Sequence, residues 1–333
     1  MILCKENRVS RTYWGGHRID RLRGKALPDG LQPEEWVASV TEARNAGSTD
    51  PHEGLSKTAD GKILRDVLKE HPEYLGFYHN LPILLKLLDA SERLVIQAHP
   101  TVSFAKRYLN SEFGKAECWY IISADPGAHV YLGFRKGVTR AVWIDAFKKQ
   151  DTARMLSMLH RINVKDGDVI YVDGGVPHAI GGGCLMAELQ EPTDLMVVTE
   201  RVTPGGRRIA EERLHCGLGF DRMFDVFDYT GYSEEELRQR FIRHPAIQEN
   251  ARNSVIGNDL TDRFSLDEYC VTRRTPIVTA GKPAVIMVLG GIGTLTDSDG
   301  TIEVHAGDGL FLPATSRKPE ADGNMRFLVA LPN

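Results

Sequence analysis

Short apolar runs bounded by glycine, proline and aspartate recur along this 333-residue chain and limit the folds that it can adopt. Runs of this kind occupy residues 118–123, 129–134 and 168–172. Brief strands with turn residues between them are typical of β-sandwiches and β-barrels, whereas a doubly wound sheet alternates longer strands and helices. The sequence therefore predicts a mainly β fold.

Helical patterns interrupt these strands in the first two thirds of the chain. Apolar residues spaced three and four apart predict helices over residues 63–71, 103–109 and 142–159. Ser233 and Glu236 form a capping-box signature that predicts the start of a further helix, which should end near His244 and Pro245. We therefore expect the helices to be insertions in an N-terminal β unit.

From about residue 262 onward, only strand-like runs and turns remain. These runs cover residues 283–289, 294–297, 301–304, 309–312 and 327–331. A chain of this length is expected to form two domains or one large domain with an appendage. We predict a catalytic domain at residues 1–240 and a smaller β domain at residues 241–333, with a linker near 233–260.

A weak internal repeat relates the two predicted domains. Gly167 and Asp168 precede the short apolar run 169–172, and Gly307 and Asp308 precede the similar run 309–312. A Gly-Asp pair followed by a short strand and a turn is a recurring element of cupin-type jelly rolls. The eleventh residue after the glycine is His178 in the first copy and Lys318 in the second. The repeat predicts two cupin-type jelly-roll β-barrels, of which only the first binds a metal.

Composition excludes several classes of function. The net charge of −4 gives no support to nucleic-acid binding, which requires a basic surface. No apolar run approaches the length of a membrane span, and the first residues do not have the pattern of a signal peptide. The five cysteines are scattered and include no C-x-x-C pair, which favours a reducing compartment. We expect a cytoplasmic protein.

Four residues form a candidate metal site: Gln97, His99, Glu117 and His178. Imidazole nitrogens with carboxylate and amide oxygens suit Zn²⁺. The first two are two positions apart and would share one face of a strand, and the others would come from neighbouring strands. The chain has eleven histidines, so on these residues alone a structural role for the histidines remains an equal alternative.

Several motifs together resemble the class I, zinc-dependent mannose-6-phosphate isomerases, and the short bacterial form in particular. The resemblance extends from about residue 12 to 200 and continues more loosely through the C-terminal β region. The residues that carry it are Trp14-Gly15-Gly16, Glu34-Glu35-Trp36, Lys86, 95–100 (VIQAHP), 114–122 (GKAECWYII) and 177–181 (PHAIG).

The resemblance implies an aldose–ketose isomerase that interconverts mannose 6-phosphate and fructose 6-phosphate by proton transfer between C1 and C2. It also implies that zinc is the cofactor, held by the four candidate ligands named above. By the same resemblance, Lys115 and Glu188 are catalytic candidates, and Glu34 and Lys86 contact the substrate. Without it, Lys115 and Glu34 would be interpreted as surface charges, and Lys86 as a lysine that extends from a core strand to solvent.

Two positions depart from the pattern of that family. Val95 stands where the family has a serine that contacts the sugar phosphate, and Val198 stands where it has an arginine that stabilises the intermediate. Arg201 is the nearest arginine that could replace the latter, although an offset of three residues on a strand favours the opposite face. Arg207 and Arg208 follow in a Pro-Gly-Gly turn.

Three interpretations of the function remain open from the sequence. The first is the mannose 6-phosphate isomerase, the second is a related cupin isomerase that acts on another sugar or sugar phosphate, and the third is a non-catalytic sugar-binding cupin. In each case we expect a small-molecule partner, no nucleic acid and no membrane, and a monomer or homodimer. The extra carboxylates Glu34 and Glu188 favour an enzyme over a simple binding protein.

Overall fold

A computed structural model describes residues 1–25, 30, 32–45 and 50–333. The mainly β fold predicted from the sequence is confirmed. The strands are β1 (Ile2–Cys4), β2 (Arg8–Val9), β3 (Glu34–Val37), β4 (Leu84–Ala90), β5 (Gln97–Ala98), β6 (Glu117–Ala124), β7 (His129–Arg135), β8 (Leu159–Asn163), β9 (Val169–Val172), β10 (His178–Ile180), β11 (Cys184–Gln190), β12 (Val197–Val198), β13 (Gly231–Tyr232), β14 (Ile242–Arg243), β15 (Asn253–Ile256), β16 (Phe264–Val271), β17 (Thr275–Pro276), β18 (Ala284–Asp297), β19 (Gly300–His305), β20 (Gly309–Leu312) and β21 (Glu320–Pro332).

The helices are short and are found before residue 242 in the described chain. They are α1 (Arg18–Leu22), α2 (Leu64–Glu70), α3 (Val102–Tyr108), α4 (Arg140–Lys149), α5 (Thr152–Ser157), α6 (Glu211–Leu214), α7 (Phe220–Met223) and α8 (Glu234–Phe241), together with a 3-10 turn at Pro72–Leu75. The predicted helices at 63–71 and 103–109 are present, as is the capping box of Ser233 and Glu236 at the start of α8.

The helix predicted over 142–159 is in fact two helices. Gln150 adopts a left-handed conformation with φ of 49° and ends α4. The Asp151 side chain then accepts a hydrogen bond from the backbone N–H of Arg154 and caps α5. A local side-chain cap therefore divides the helix, although the spacing of the apolar residues continues across the break.

Three sheets organise the molecule. Sheet I has the strand order β14-β9-β6-β11-β4-β3-β2, and sheet II has the order β12-β5-β10-β7-β13 with β8 paired to β7. Sheet III has the order β1-β20-β18-β21-β16-β15, with β17 and β19 at its margins. Sheets I and II contain the strands from Arg8 to Arg243, and sheet III contains those from Asn253 onward together with β1.

The border between the two predicted domains is crossed in both directions. The N-terminal strand β1 pairs with β20 in sheet III, so that Leu3 lies opposite Leu310. In the other direction, β14 lies beyond residue 240 and still pairs with β9 of sheet I. The division at 240/241 stays a prediction.

Candidate metal centre

Neighbouring strands of sheet I place large and charged side chains in one row across the sheet. Lys86 on β4 lies opposite both Trp36 on β3 and Glu188 on β11, and Glu188 in turn lies opposite Trp119 on β6. Because residues in register on adjacent strands share a face, these four side chains are neighbours. Glu117, two positions before Trp119, is on the same face.

Sheet II supplies the remaining candidate ligands. Gln97 on β5 lies opposite His178 on β10, and His99 follows directly after β5. The backbone hydrogen bond from the Lys115 N–H to the Pro100 carbonyl, at 3.0 Å, holds the residues before β6 against this segment. Gly114 allows this approach, since a Cβ there would lie 2.6 Å from the Pro100 oxygen. Local packing therefore brings His99 next to Glu117.

Three of the predicted ligands form one buried cluster. His99, Glu117 and His178 each offer a ligand atom, and these atoms lie within 4.8 Å of one another. The Nε2 atoms of the two histidines lie 3.2 Å and 3.3 Å from separate oxygens of Glu117. Gln97 is also buried and lines the same cavity as His99.

The hydrogen bonds of both histidines fit a metal site. The Nδ1 atom of His99 is 2.8 Å from the carbonyl oxygen of Leu195, and that of His178 is 2.9 Å from the carbonyl oxygen of Val176. A proton on each Nδ1 leaves Nε2 free to bind a metal, which is the usual arrangement of zinc-ligating histidines. Among the described residues, the buried Nε2 of His178 has no hydrogen-bond partner. The residues therefore fit a divalent metal.

Electrostatics favour the forms of these side chains that ligate metals. Burial, followed by the charge of Lys115, lowers the pKa of His99 to about 4, and burial also lowers the pKa of His178. Burial alone would raise the pKa of Glu117, but the charge of Lys115 and the two histidines hold it well below its usual range. Two neutral imidazoles and one carboxylate are the protonation states that zinc requires.

A buried chain of alternating charges extends from this cluster. Lys115 contacts Glu117, and its Nζ atom lies 2.9 Å from Nε2 of His99 and 3.7 Å from Glu188. Glu188 also accepts a hydrogen bond of 2.9 Å from Lys86, which lies 3.6 Å from Glu34. The structure thus brings together all the predicted site residues named so far.

The series of buried charges ends in residues that were not predicted from the sequence. Arg11 donates to both oxygens of Glu34, at 2.9 Å and 3.1 Å, and to both oxygens of Asp194, at 3.0 Å and 3.2 Å. Tyr13 donates a hydrogen bond of 2.7 Å to Glu34. Burial would raise the pKa of Glu34, but Arg11 and Lys86 lower it to about 2. The only sequence signal for Arg11 is its position three residues before Trp14-Gly15-Gly16.

Arg201, the predicted replacement for the missing arginine, is placed elsewhere. Its guanidinium pairs with Glu211 and lies over the rings of Phe147 and Phe220, at 5.3 Å and 5.0 Å from their centroids. It is outside the lining of the cavity that contains His99 and Glu188. Val198 on β12 lies opposite Gln97 on β5, but β12 ends at Val198 and Arg201 follows in a bend outside the sheet.

Comparisons with known proteins agree with this arrangement. Residues 4–120 match the family model described as phosphomannose isomerase type I, catalytic domain. A protein of Bacillus subtilis named "probable mannose-6-phosphate isomerase" is 29% identical over 96% of this chain and 95% of its own length. The mannose-6-phosphate isomerase of Streptococcus mutans is 28% identical over 99% and 98%, respectively.

Solved structures show the same fold. The crystal structure of mannose 6-phosphate isomerase from Bacillus subtilis superposes with a TM-score of 0.78 at 23% identity, and it covers 99% of this chain and 98% of its own. The phosphomannose isomerase of Salmonella typhimurium has a TM-score of 0.71 at 15% identity, covering 100% and 99%.

Proposed function

We propose that the chain is a member of the type I phosphomannose isomerase family and that it interconverts mannose 6-phosphate and fructose 6-phosphate with a bound zinc ion. The observation that carries the proposal is the buried cluster of His99, Glu117 and His178 beside the Lys115–Glu188 pair. A metal site next to a buried acid and a buried amine contains the groups that an aldose–ketose isomerase needs.

We propose that Gln97 is the fourth protein ligand, beside the three clustered residues. It lies opposite His178 in the sheet and lines the cavity with His99. Zinc at this position would act as a Lewis acid that stabilises negative charge on the sugar oxygens.

The isomerisation moves one proton from C2 to C1 and a second proton from the C2 oxygen to the C1 oxygen. Glu188 is the proposed carrier between the two carbons, because its carboxylate lies in the cavity and Lys86 fixes its position at 2.9 Å. Lys115 is the proposed proton donor and acceptor for the oxygens, since its ammonium lies between Glu188 and the metal ligands.

The other members of this series of buried charges keep Glu188 and Lys115 in place. Glu34 pairs with both Arg11 and Lys86, so the Lys86 side chain is held between two carboxylates. An unpaired charge in this interior would carry a large desolvation cost, so these ion pairs resist exchange of partners. We call this series of alternating buried charges the charged row. We propose that Glu34 and Lys86 also contact the sugar, as the family resemblance implies.

The setting of the enzyme is also a proposal. We infer a cytoplasmic enzyme of carbohydrate metabolism that works as a monomer or homodimer. All five cysteines are free thiols, which supports a reducing compartment. Among the described residues, no helix has the length and apolarity needed to cross a membrane.

The decisive experiment is an assay of the zinc-loaded protein. We expect conversion of mannose 6-phosphate to fructose 6-phosphate, and much weaker turnover of unphosphorylated mannose. His99→Ala should lose both zinc and activity, and His305→Ala, on the surface of sheet III, is the matched control that should lose neither. A zinc-loaded protein that turned over another sugar phosphate but not mannose 6-phosphate would contradict the substrate. One that bound sugars without turnover would contradict the enzyme.

A further inference from the structure

A second and larger chamber adjoins the cavity that contains the metal cluster. The metal cavity has a volume of about 70 Å³, and the chamber has a volume of about 550 Å³. The two share part of their walls, which includes Arg11, Val95, Asp194 and Met196. The two spaces are therefore adjacent across this shared wall, which we call the neck.

The cations that line the metal cavity are all paired with acids. Arg11 pairs with Glu34 and Asp194, and Lys86 and Lys115 both pair with Glu188. A phosphate placed there would have to displace a buried carboxylate from its partner. Because leaving a buried charge unpaired is strongly unfavourable, this cavity is poorly suited to hold the dianion of a sugar phosphate.

Three further cations of the chamber, beyond Arg11, differ in this respect. Arg44, Arg208 and Arg213 line its wall, and in the described part of the chain none of the three guanidiniums forms an ion pair with an acidic side chain. Hydrogen bonds connect two of these residues to Asp194 in the neck. The backbone N–H of Arg44 donates to the Asp194 carboxylate at 2.8 Å, and the Arg213 guanidinium donates to the backbone carbonyl of Arg44. Guanidinium groups bind phosphate through paired hydrogen bonds and are the side chains best suited to that geometry.

We propose that this chamber is the anion subsite of the enzyme, in which Arg44, Arg208 and Arg213 bind the phosphate of the sugar phosphate. The inference rests on the proposed function. The reacting carbons C1 and C2 lie at the opposite end of a hexose from its C6 phosphate. A substrate with C1 and C2 beside Glu188 must therefore carry its phosphate out of the metal cavity, and the neck leads to the chamber.

This assignment also accounts for the two valines at which the chain departs from its family. Val95 lies in the neck and Val198 lines the chamber, so neither position offers a polar side chain along the proposed path. These two positions need no hydroxyl or guanidinium if other side chains bind the phosphate. The phosphate contacts of this chain would then come from the loop at Arg44 and from the segment that contains Arg208 and Arg213.

The test combines kinetics with direct binding. For the double variant Arg44→Ala/Arg208→Ala of the zinc-loaded protein, we expect KM for mannose 6-phosphate to rise by about 10- to 100-fold, since each lost charged hydrogen bond contributes that order. We expect kcat to stay within about threefold, because neither residue lies beside the reacting carbons. Arg44→Lys/Arg208→Lys should recover part of the affinity through charge alone.

Arg207→Ala is the matched control. Arg207 neighbours Arg208 but donates to the Thr12 carbonyl at 2.7 Å and stacks on Trp14, and it does not line the chamber. This variant should leave KM unchanged. An unchanged KM in the alanine double variant, or an equal rise in the Arg207 variant, would overturn the subsite.

Binding of inorganic phosphate separates this inference from the proposed function. Calorimetry on the zinc-loaded protein should show phosphate binding that the alanine double variant loses while its zinc content stays the same. If the wild type proved inactive on mannose 6-phosphate but showed this pattern, the subsite would stand and the substrate would be wrong. Equal phosphate affinity in the wild type and the double variant would overturn the subsite whatever the activity.

Discussion

The N-terminal and C-terminal β units contain the same Gly-Asp element but fill their interiors with different side chains. In sheet III, the inward positions of β18, β20 and β21 are apolar, as at Ile286, Leu310 and Phe327, and they are fully buried. In sheet I, one face holds charged residues such as Lys86 and Glu188, which are also buried. One scaffold therefore supports either an apolar core or a charged one.

The ends of the two repeats differ in the same sense. His178 lies on β10, fully buried, with Nε2 directed at Glu117. Lys318 is exposed and has a left-handed φ of 48°, in a turn before β21. A buried charged row contributes less to stability than an apolar core of similar volume. We therefore expect the charged row to lower the free energy of unfolding of the N-terminal unit. Sheet III also contains buried carboxylates, Asp267 and Glu268, but each pairs with a partly exposed arginine.

The largest expected effect comes from removing His178, the proposed metal ligand whose counterpart in the C-terminal unit is Lys318. His178→Ala leaves Glu117 and His99 as an incomplete site, and we expect zinc to be lost with a fall in kcat/KM of more than about 100-fold, the upper range for disturbing a residue that only supports a ligand. Metal analysis and the isomerase assay measure both. Lys318→Ala, the equivalent position of the C-terminal unit, should change neither.

The second prediction tests whether the charged row exists for function rather than stability. Lys86→Met leaves Glu188 without its 2.9 Å partner in the interior, and we expect a loss of about 3–5 kcal/mol in the free energy of unfolding. Lys86→Met/Glu188→Leu removes both charges and should recover at least half of that loss in denaturant titrations. Activity should stay absent in both variants. If the double variant were no more stable than Lys86→Met, the charged row would itself stabilise the N-terminal unit. That result would contradict the view that the row exists for function.

The sequence predicted the metal cluster more completely than it predicted the rest of the charged row. The spacing of Gln97 and His99 placed both on one face of a strand, and the ligand chemistry of Glu117 and His178 added them to the candidate set independently of the family resemblance. The fold brings His99, Glu117 and His178 into contact. Arg11 and Asp194 have no such signal, because their pairing joins positions 183 residues apart. Such a contact depends on tertiary packing that spacing along the chain does not encode.

The same limit applies to the placement of Arg201 outside the cavity. Its distance along the chain from Glu188 resembled that of the expected arginine, but the direction of its side chain depends on how β12 pairs with β5. The helix predicted over 142–159 was wrong for a related reason, since the cap at Asp151 outweighs apolar periodicity. Positions within a strand or helix follow from local patterns, whereas cap geometry and strand register require the folded chain.

The third prediction concerns pH and distinguishes the two units by their histidines. In zinc-free protein, His99 titrates near 4 when folded and near 6.5 when unfolded, so the unfolded chain binds more protons between these values. Stability should therefore be full above about pH 6.5 and fall as pH drops toward 4, by up to about 3 kcal/mol. Unfolding curves across this range measure the slope. His99→Gln should flatten it, and His305→Ala, in the apolar unit, should leave it unchanged.

The smallest expected effect is that of Arg201, which lies in the N-terminal unit but outside its charged interior. Its pair with Glu211 is largely exposed, and its stacking on Phe147 and Phe220 contributes about 1 kcal/mol at such sites. Arg201→Ala should therefore lower the free energy of unfolding by about that amount and leave kcat/KM within about twofold. A loss of activity as large as that of His178→Ala, with normal zinc content, would place Arg201 in the site during turnover. That result would contradict the proposal that the charged interior alone acts on the sugar.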